Sequence, residues 1–170
     1  SRNVTFYCNV PHLNGADNLA YRALCLLKNV YSVNEGIELR LQKHIPIGAG
    51  LGGGSADAAA VLRGLNDIWG LSLSFEELTL MGSQLGSDVP FFLTGGTAFA
   101  LGKGEILETL RPIPKTWILV INPESELEQK TAKMYEHLQQ SHFTTGEQVV
   151  LMVNSIASGD QVSESLMRNT

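Results

Sequence analysis

The sequence predicts a mixed α/β or α+β fold, because it contains two kinds of hydrophobic periodicity. In VTFYC from Val4 and in IELRL from Ile37, apolar residues alternate with others, as in strands with one buried face. Between these two segments, and again after Ser55, apolar residues recur every three to four positions, as in amphipathic helices. Strands and helices do not alternate strictly along the chain, so both arrangements stay open.

The first half of the chain is predicted to contain four regular elements. Asp17 or Asn18 can cap the first helix, because short polar side chains accept hydrogen bonds from the first helical amides. Pro46 cannot continue a central strand and therefore opens a glycine-rich loop, and Gly70 ends the helix that follows this loop. In chain order, these elements are a strand from Val4 to Cys8, a helix from Leu19 to Tyr31, a strand from Ile37 to Leu41 and a helix from Ser55 to Trp69.

The second half is predicted from turn and cap signals. Ser74 and Glu77 have the spacing of a capping box and start a helix that runs to Leu85. The segment GSDVPFF is expected to be a loop, because Pro90 disfavours a continued helix, and a hairpin is expected to turn at residues 102–104. The last predicted elements are a buried strand in TWILVINP, a helix in LEQKTAKMYEHLQQ and a helix over residues 146–158.

The composition is typical of a globular protein with neither a nucleic-acid surface nor a membrane span. The chain is 44% hydrophobic and 17% charged with a net charge of -5, whereas a nucleic-acid surface needs clustered positive charge. No segment approaches the roughly 20 apolar residues of a membrane helix. The cysteines and histidines lack metal-ligand spacing, and Cys8, Cys25, Trp69 and Trp117 are expected in the core.

The loop before the second helix predicts an anion site. Five of the seven residues from Gly48 to Gly54 are glycines, and a chain without Cβ atoms lets backbone N–H groups approach a ligand closely. The helix N-terminus adds unpaired N–H groups and about half a positive charge, and Ser55 adds a hydroxyl. We expect the ligand to be a phosphate group.

Other phosphate-binding and catalytic loops fit the sequence less well. A Walker A loop requires a Lys after the glycines, and none follows here. The dinucleotide fingerprint is formally present at Gly48, Gly50 and Gly53, but Pro46 separates the loop from its strand and Asp67 lies inside the helix. The protein-kinase motifs and the serine-hydrolase elbow are absent.

The stretch PIGAGLGGGSADAAA, which starts at Pro46, resembles the second motif of the GHMP kinase superfamily. Two further stretches, DNLAYRA and LGSDVPFFLTGGTAFALGKGE, together with Lys43, are similar to one branch of that superfamily. This branch phosphorylates the 2-hydroxyl of a cytidine-diphosphate derivative of methylerythritol in isoprenoid-precursor synthesis. The resemblance covers residues 3–122.

The resemblance implies the fold and the cellular setting. It predicts the two-domain GHMP kinase fold, with a first domain like the second domain of ribosomal protein S5 over residues 1–122 and the start of the C-terminal domain over residues 123–170. It further implies a monomer or weak homodimer that acts on a small molecule, without nucleic acid or membrane, in the bacterial cytoplasm or in the stroma of a plastid.

The resemblance also implies ATP and Mg²⁺ as cofactors and assigns residue roles. Asp88 would accept the proton of the substrate hydroxyl, and Ser55 would serve Mg²⁺. ATP would be bound by Lys43, Pro46, Ile47, Gly48, Ala49, Gly50, Leu51, Gly52, Gly53, Gly54, Ser55 and Ala56. The substrate would be bound by Gly86, Ser87, Gly95, Gly96 and Thr97.

Simpler explanations exist for several residues of these motifs when the residues are considered alone. Asp88 can be a turn residue that bonds its own backbone, and Gly95 to Thr97 can form a tight turn. Asp57, in the first turn of the helix, is expected to stabilise the helix dipole rather than to act in catalysis.

Three motifs of the superfamily are absent from the sequence: an early strand with Lys and Asn, a D-G-[YF]-H segment, and a third glycine-rich loop. We therefore expect the 170 residues alone to be a poor kinase. Two alternatives stay open, namely another small-molecule kinase of the superfamily and a non-catalytic nucleotide-binding fragment.

Overall fold

The structure is a computed structural model that describes residues 3–121 and 136–167. The chain divides into two units, Ser1–Glu108 and Thr109–Thr170. In chain order, the strands and α-helices are β1 Val4–Cys8, α1 Leu19–Val30, β2 Ile37–Leu41, α2 Gly53–Ile68, α3 Phe75–Leu85, α4 Val89–Thr94, β3 Thr97–Leu101, β4 Ile106–Leu110 and α5 Glu147–Ser158. Three short 3₁₀ helices are Pro11–Leu13, Gln140–His142 and Glu164–Leu166.

The first unit begins with a β-α-β arrangement. β1 and β2 pair in parallel, with Val4 opposite Ile37 and Cys8 opposite Leu41, and α1 makes the crossover that a parallel pair requires. Both strands and α1 were predicted from periodicity and are confirmed. Cys8 is buried, Cys25 is partly buried, and both are free thiols.

The core of the first unit lies between the helices. α2 packs against α1, α3 and α4, and alanines on α1 and α2 let these two helices approach closely because they carry only a methyl group. The core consists of Ala20, Ala23, Leu24, Leu27, Ala58, Ala59, Val61, Leu62, Leu65, Leu78, Met81, Leu85, Val89 and Leu93. Trp69 is partly buried and packs against this core.

The helix starts follow the predicted caps, with one shift. Asn18 caps α1, and its side-chain oxygen accepts a hydrogen bond of 2.9 Å from the Ala20 amide. Ser74 and Glu77 form the predicted capping box of α3. α2 starts at Gly53, two residues before the predicted Ser55, since the Gly52 carbonyl already accepts a helical bond from the Ala56 amide.

The prediction that GSDVPFF is a loop is wrong in its second part, because α4 begins at Val89. Pro90 lies in the first turn of this helix. At that position a residue needs no N–H donor, and the fixed φ of proline suits the helix. A proline that was interpreted as a helix breaker therefore lies at a helix start.

The predicted hairpin is confirmed, since β3 and β4 pair and Gly102 and Gly104 take positive φ values of 68° and 106° between them. The predicted strand from Thr116 is wrong over residues 116–121, which carry no regular secondary structure. Trp117 is fully exposed rather than buried in a core. A strand needs a neighbour for its backbone groups, and within the described residues none pairs with this segment.

In the second unit, the helix predicted over residues 146–158 is confirmed as α5. The helix predicted in LEQKTAKMYEHLQQ falls largely outside the described residues. Among the helices that the structure describes, none is both long and apolar enough to cross a bilayer.

The capping box of α3 generates a stability prediction. Ser74→Ala removes the hydroxyl that accepts from the Glu77 amide at 3.2 Å, so it should lower the free energy of unfolding by about 1 kcal/mol in urea denaturation. Ser83→Ala is the matched control, because its hydroxyl bonds only the Leu80 carbonyl within the same helix. An equal loss in both variants would contradict the capping role.

Candidate phosphate-binding and catalytic site

The glycine loop between β2 and α2 has a backbone that only glycine adopts readily. Gly48, Gly50 and Gly52 take φ values of 70°, 72° and 66°, in the left-handed region that costs other residues about 1–2 kcal/mol. Gly52 is also the N-cap of α2. The first amides of this 16-residue helix therefore lie at the end of the loop, where an N-terminus favours anions.

An ion pair joins the two ends of the loop. Lys43 follows β2 and Asp57 lies near the start of α2, and Lys43 Nζ lies 2.5 Å from Asp57 Oδ2. The Lys43 side chain is only 8% exposed and that of Asp57 is 21% exposed. The pair holds the entry and the exit of the loop together and neutralises most of the Lys43 charge.

Sequence reasoning missed this pair, since Lys43 was predicted to bind ATP and Asp57 to stabilise the helix dipole. The signal was present: opposite charges flank a loop whose glycines provide no side chains of their own to hold it. The close packing extends to Gly53, where an ideal Cβ would lie 3.2 Å from Lys43 Nζ. A larger residue at Gly53 would thus push against the ion pair.

Asp88 is an exposed residue held by buried neighbours. It is the N-cap of α4, and its side chain makes no capping hydrogen bond. The next two residues, Val89 and Pro90, are fully buried. Ser87 Oγ lies 3.2 Å from Asp88 Oδ1 and donates a hydrogen bond to it. The backbone is therefore anchored while the carboxylate faces solvent.

A cavity of about 340 Å³ brings the loop and Asp88 together. Its lining comes from three segments of the first unit: the glycine loop, α4 with the two residues before it, and the β3–β4 hairpin. The lining residues are Gly50, Leu51, Gly52, Ser87, Asp88, Phe91, Phe92, Ala100, Gly104 and Leu107. The only charged side chain among them is Asp88.

The hairpin contributes to the cavity through a close backbone approach. An ideal Cβ at Gly104 would lie 2.9 Å from the Ser87 carbonyl oxygen, so the hairpin turn can rest on the residue before Asp88 only because Gly104 lacks a side chain. Sequence reasoning predicted the hairpin but not its place in the site, and it did not identify Phe91, Phe92 or Leu107.

The other predicted substrate residues fall into two groups. Ser87 lines the cavity, and Gly86 precedes it as the C-cap of α3. Gly95 and Gly96 make the turn between α4 and β3 with φ values of 72° and 70°, and Thr97 starts β3. These last three residues do not line the cavity, and their role in substrate binding stays a prediction.

A metal centre built from protein ligands is not evident in the part of the chain that the structure describes. Within it, no group of three or more His, Cys, Asp or Glu side chains could hold a metal ion.

The family of GHMP kinases N-terminal domains matches residues 18–96, which include the glycine loop and Asp88. Residues 18–96 form a GHMP kinase N-terminal domain. The α/β fold of GHMP kinases and the resemblance of the motifs to that superfamily are therefore confirmed.

Two curated relatives of this chain carry the same name. The chain is 46% identical over 143 residues to the 4-diphosphocytidyl-2-C-methyl-D-erythritol kinase of Geobacillus thermodenitrificans, covering 84% of this chain and 48% of that protein. It is 48% identical over 114 residues to the enzyme of the same name from Enterococcus faecalis, covering 67% and 40% of the two chains. The chain thus spans about half the length of the curated relatives it matches.

Solved structures of GHMP kinases share the fold. A 4-(cytidine 5'-diphospho)-2C-methyl-D-erythritol kinase superposes with a TM-score of 0.67 at 31% identity, over 94% of this chain and 57% of that one. A homoserine kinase from Cytophaga hutchinsonii also gives 0.67, at 18% identity, over 96% of this chain and 60% of that one. At this lower identity the second likeness concerns the fold alone.

The ion pair generates the second prediction. Lys43→Met leaves Asp57 partly buried without its partner and should lower the free energy of unfolding by about 2 kcal/mol, less than for a fully buried pair because Asp57 keeps some solvent. Urea denaturation measures the loss.

Arg40→Met is the matched control. Arg40 Nε also lies 2.5 Å from a carboxylate oxygen, that of Glu38, but these side chains are 74% and 55% exposed. Breaking this pair should cost less than about 1 kcal/mol. Equal losses in the free energy of unfolding for Lys43→Met and Arg40→Met would show that the Lys43–Asp57 pair does not hold the loop ends.

Proposed function

We propose that the chain is the nucleotide-binding and catalytic part of an ATP-dependent kinase for 4-diphosphocytidyl-2-C-methyl-D-erythritol, acting on its 2-hydroxyl. The names of the relatives at 46% and 48% identity support this substrate. The observation that carries the proposal is the cavity that places the glycine loop opposite Asp88. A homoserine-type kinase is less well supported, since that likeness rests on 18% identity.

The loop is proposed to bind the triphosphate of ATP through backbone amides. The left-handed glycines leave these amides without covering side chains, and the N-terminus of α2 adds positive potential where the loop ends. The binding residues are Pro46, Ile47, Gly48, Ala49, Gly50, Leu51, Gly52, Gly53, Gly54, Ser55 and Ala56. The proposed part of Lys43 is indirect, because its ammonium is paired with Asp57.

Mg²⁺ is the metal ion proposed for this site. When bound with the nucleotide, the ion neutralises charge on the phosphate oxygens, and it prefers few protein ligands beside phosphates and waters. Ser55 is the proposed protein ligand, because its hydroxyl is a hard oxygen donor in the first turn of α2.

Asp88 is proposed as the catalytic base. The Ser87 hydroxyl donates to Oδ1, which orients the carboxylate and leaves Oδ2 to accept the proton of the acceptor hydroxyl. The acceptor oxygen then forms a bond to the γ-phosphorus, the bond from that phosphorus to the bridging oxygen breaks, and ADP leaves. The protein contributes mainly position and charge stabilisation to this reaction.

Five residues are proposed to contact the acceptor substrate. They are Gly86, Ser87, Gly95, Gly96 and Thr97. Of these, Ser87 has the most direct support, because it lines the cavity beside Asp88. We expect a monomer or weak homodimer that works in the cytoplasm on a small molecule.

Gly50→Ala tests the loop as the ATP site. An added Cβ at Gly50 would meet no atom within 4 Å, so the substitution acts only through its φ of 72°. We expect the Kd for ATP, measured by calorimetry, to rise about tenfold, in line with a strain of 1–2 kcal/mol.

Gly64→Ala is the control for this substitution. It makes the same chemical change inside α2, also without a neighbour within 4 Å. It should stabilise the protein by about 0.5–1 kcal/mol because alanine favours helix, and it should leave the Kd for ATP unchanged. An unchanged Kd in Gly50→Ala would remove the loop from the ATP site.

Asp88→Asn tests the base. Because an amide cannot accept the proton, kcat should fall by about 10²–10⁴-fold while the Kd for ATP stays within a factor of a few. Turnover is measured as ADP release with 4-diphosphocytidyl-2-C-methyl-D-erythritol, using the protein as its gene encodes it. The control is Asp67→Asn, an exposed carboxylate at the far end of α2. Full turnover in Asp88→Asn would exclude the catalytic role.

A further inference from the structure

The ring of Phe92 lies directly against the glycine that ends the phosphate loop. An ideal Cβ at Gly52 would lie 2.5 Å from Phe92 Cζ and 2.6 Å from Phe92 Cε2, which are distances that no real side chain tolerates. The ring thus occupies the space where any other residue at position 52 would put its side chain. Both residues line the cavity.

The ring is also rigidly connected to Asp88. Phe92 lies one helical turn after Asp88, and its amide donates to the Asp88 carbonyl at 3.4 Å. The helix is anchored by three buried residues, Val89, Pro90 and Leu93. A second ring, that of Phe91, meets Phe92 edge to face with centroids 5.3 Å apart. The backbones of Phe92 and Asp88 are therefore fixed relative to each other by α4.

We infer that Phe92 is a positioning residue that sets the distance between the phosphate loop and Asp88, an inference that rests on the proposed kinase function. The other left-handed glycines of the loop are not crowded in this way. Gly48 and Gly50 have no atom within 4 Å of an added Cβ, and Leu51 is 41% exposed. The Gly52–Phe92 contact is where the loop meets the element that carries the base.

The Gly52–Phe92 contact should affect the rate of the proposed phosphoryl transfer. In-line transfer depends on the separation between the γ-phosphorus and the acceptor oxygen, and a misplacement of about 1 Å can cost on the order of 10²-fold in rate. A shorter side chain at position 92 would let the loop settle toward α4. ATP would then bind in a range of positions relative to Asp88, so both its KM and kcat would suffer.

The test is a double-mutant cycle on Gly52 and Phe92 in the protein as its gene encodes it. Phe92→Leu shortens the ring, Gly52→Ala adds a methyl group that clashes with it, and the double variant combines the two changes. For each variant, the KM for ATP, the KM for the acceptor and kcat are measured well below the melting temperature. Should Phe92→Leu fail to fold, Phe92→Met, which fills more of the space, takes its place.

Leu27→Ala is the control for a purely structural effect. Leu27 lies in α1, is fully buried in the core, and belongs neither to α4 nor to the cavity lining. Its truncation should lower the melting temperature at least as much as Phe92→Leu, with kcat/KM for ATP unchanged.

We expect Phe92→Leu to lower kcat/KM for ATP by about 10- to 100-fold, with the KM for the acceptor unchanged. Gly52→Ala should be worse, and the double variant should recover part of its loss, since the added methyl group no longer meets the ring. Additive losses in the double variant, or unchanged ATP kinetics in Phe92→Leu, would overturn the inference about Phe92 but not the proposed function. Absence of ATP binding in the unaltered protein would overturn the proposed function, and with it the inference.

Discussion

The packing of α2 against three other helices is the constraint on which the candidate site depends. Its buried face includes Ala58, Ala59, Leu62 and Leu65, and burial of apolar surface of this kind contributes about 25 cal/mol per Å². Because the helix cannot rotate or slide without exposing this face, its N-terminus has one position. The glycine loop ends at that position, and α4, which carries Asp88 at its start, packs against the same helix. The glycine loop and Asp88 therefore share one support.

The charged groups of the site are the paired Lys43 and Asp57 beside the loop and Asp88 in the cavity lining. The most buried ammonium near the loop, that of Lys43, is balanced by Asp57 at 2.5 Å, and the cavity lining contains no other charged side chain than Asp88. A triphosphate at this site would meet backbone dipoles rather than a cluster of lysines or arginines. Backbone amides are held in place by the loop conformation and carry no formal charge, so they cannot form an ion pair with the Asp88 carboxylate. In the proposed function, this arrangement would let a negative base and a negative ligand occupy one cavity, with Mg²⁺ as the counter-charge.

Local signals in the sequence were enough for most elements. The alternation around Val4 and Ile37, the cap at Asn18 and the capping box at Ser74 each act within a few residues, so they could be recognised without a structure. The predictions that were wrong or missed depend instead on residues that are distant in sequence. Pro90 lies in the first turn of a helix whose Val89 and Leu93 are buried against the core. Residues 116–121 form no strand, because none of the described residues pairs with them. The Lys43–Asp57 and Gly52–Phe92 contacts join residues that are distant in sequence. A single sequence does not show which of its distant residues are in contact.

Fold and substrate are separate questions for this chain. The two solved structures superpose equally well, with TM-scores of 0.67, although one is a homoserine kinase at 18% identity and the other a cytidine-diphosphate methylerythritol kinase at 31%. A shared fold that accepts both acceptors cannot itself select between them. In the proposed function, the loop and Asp88 serve the transfer step, which is common to any alcohol acceptor. Under this proposal, selection comes from residues that shape the rest of the cavity, where Phe91, Ala100 and Leu107 present apolar surface beside the carboxylate. Apolar walls of this kind suit a carbon that bears a methyl group better than an amino acid that carries two charges, because charged groups lose hydration there without a partner.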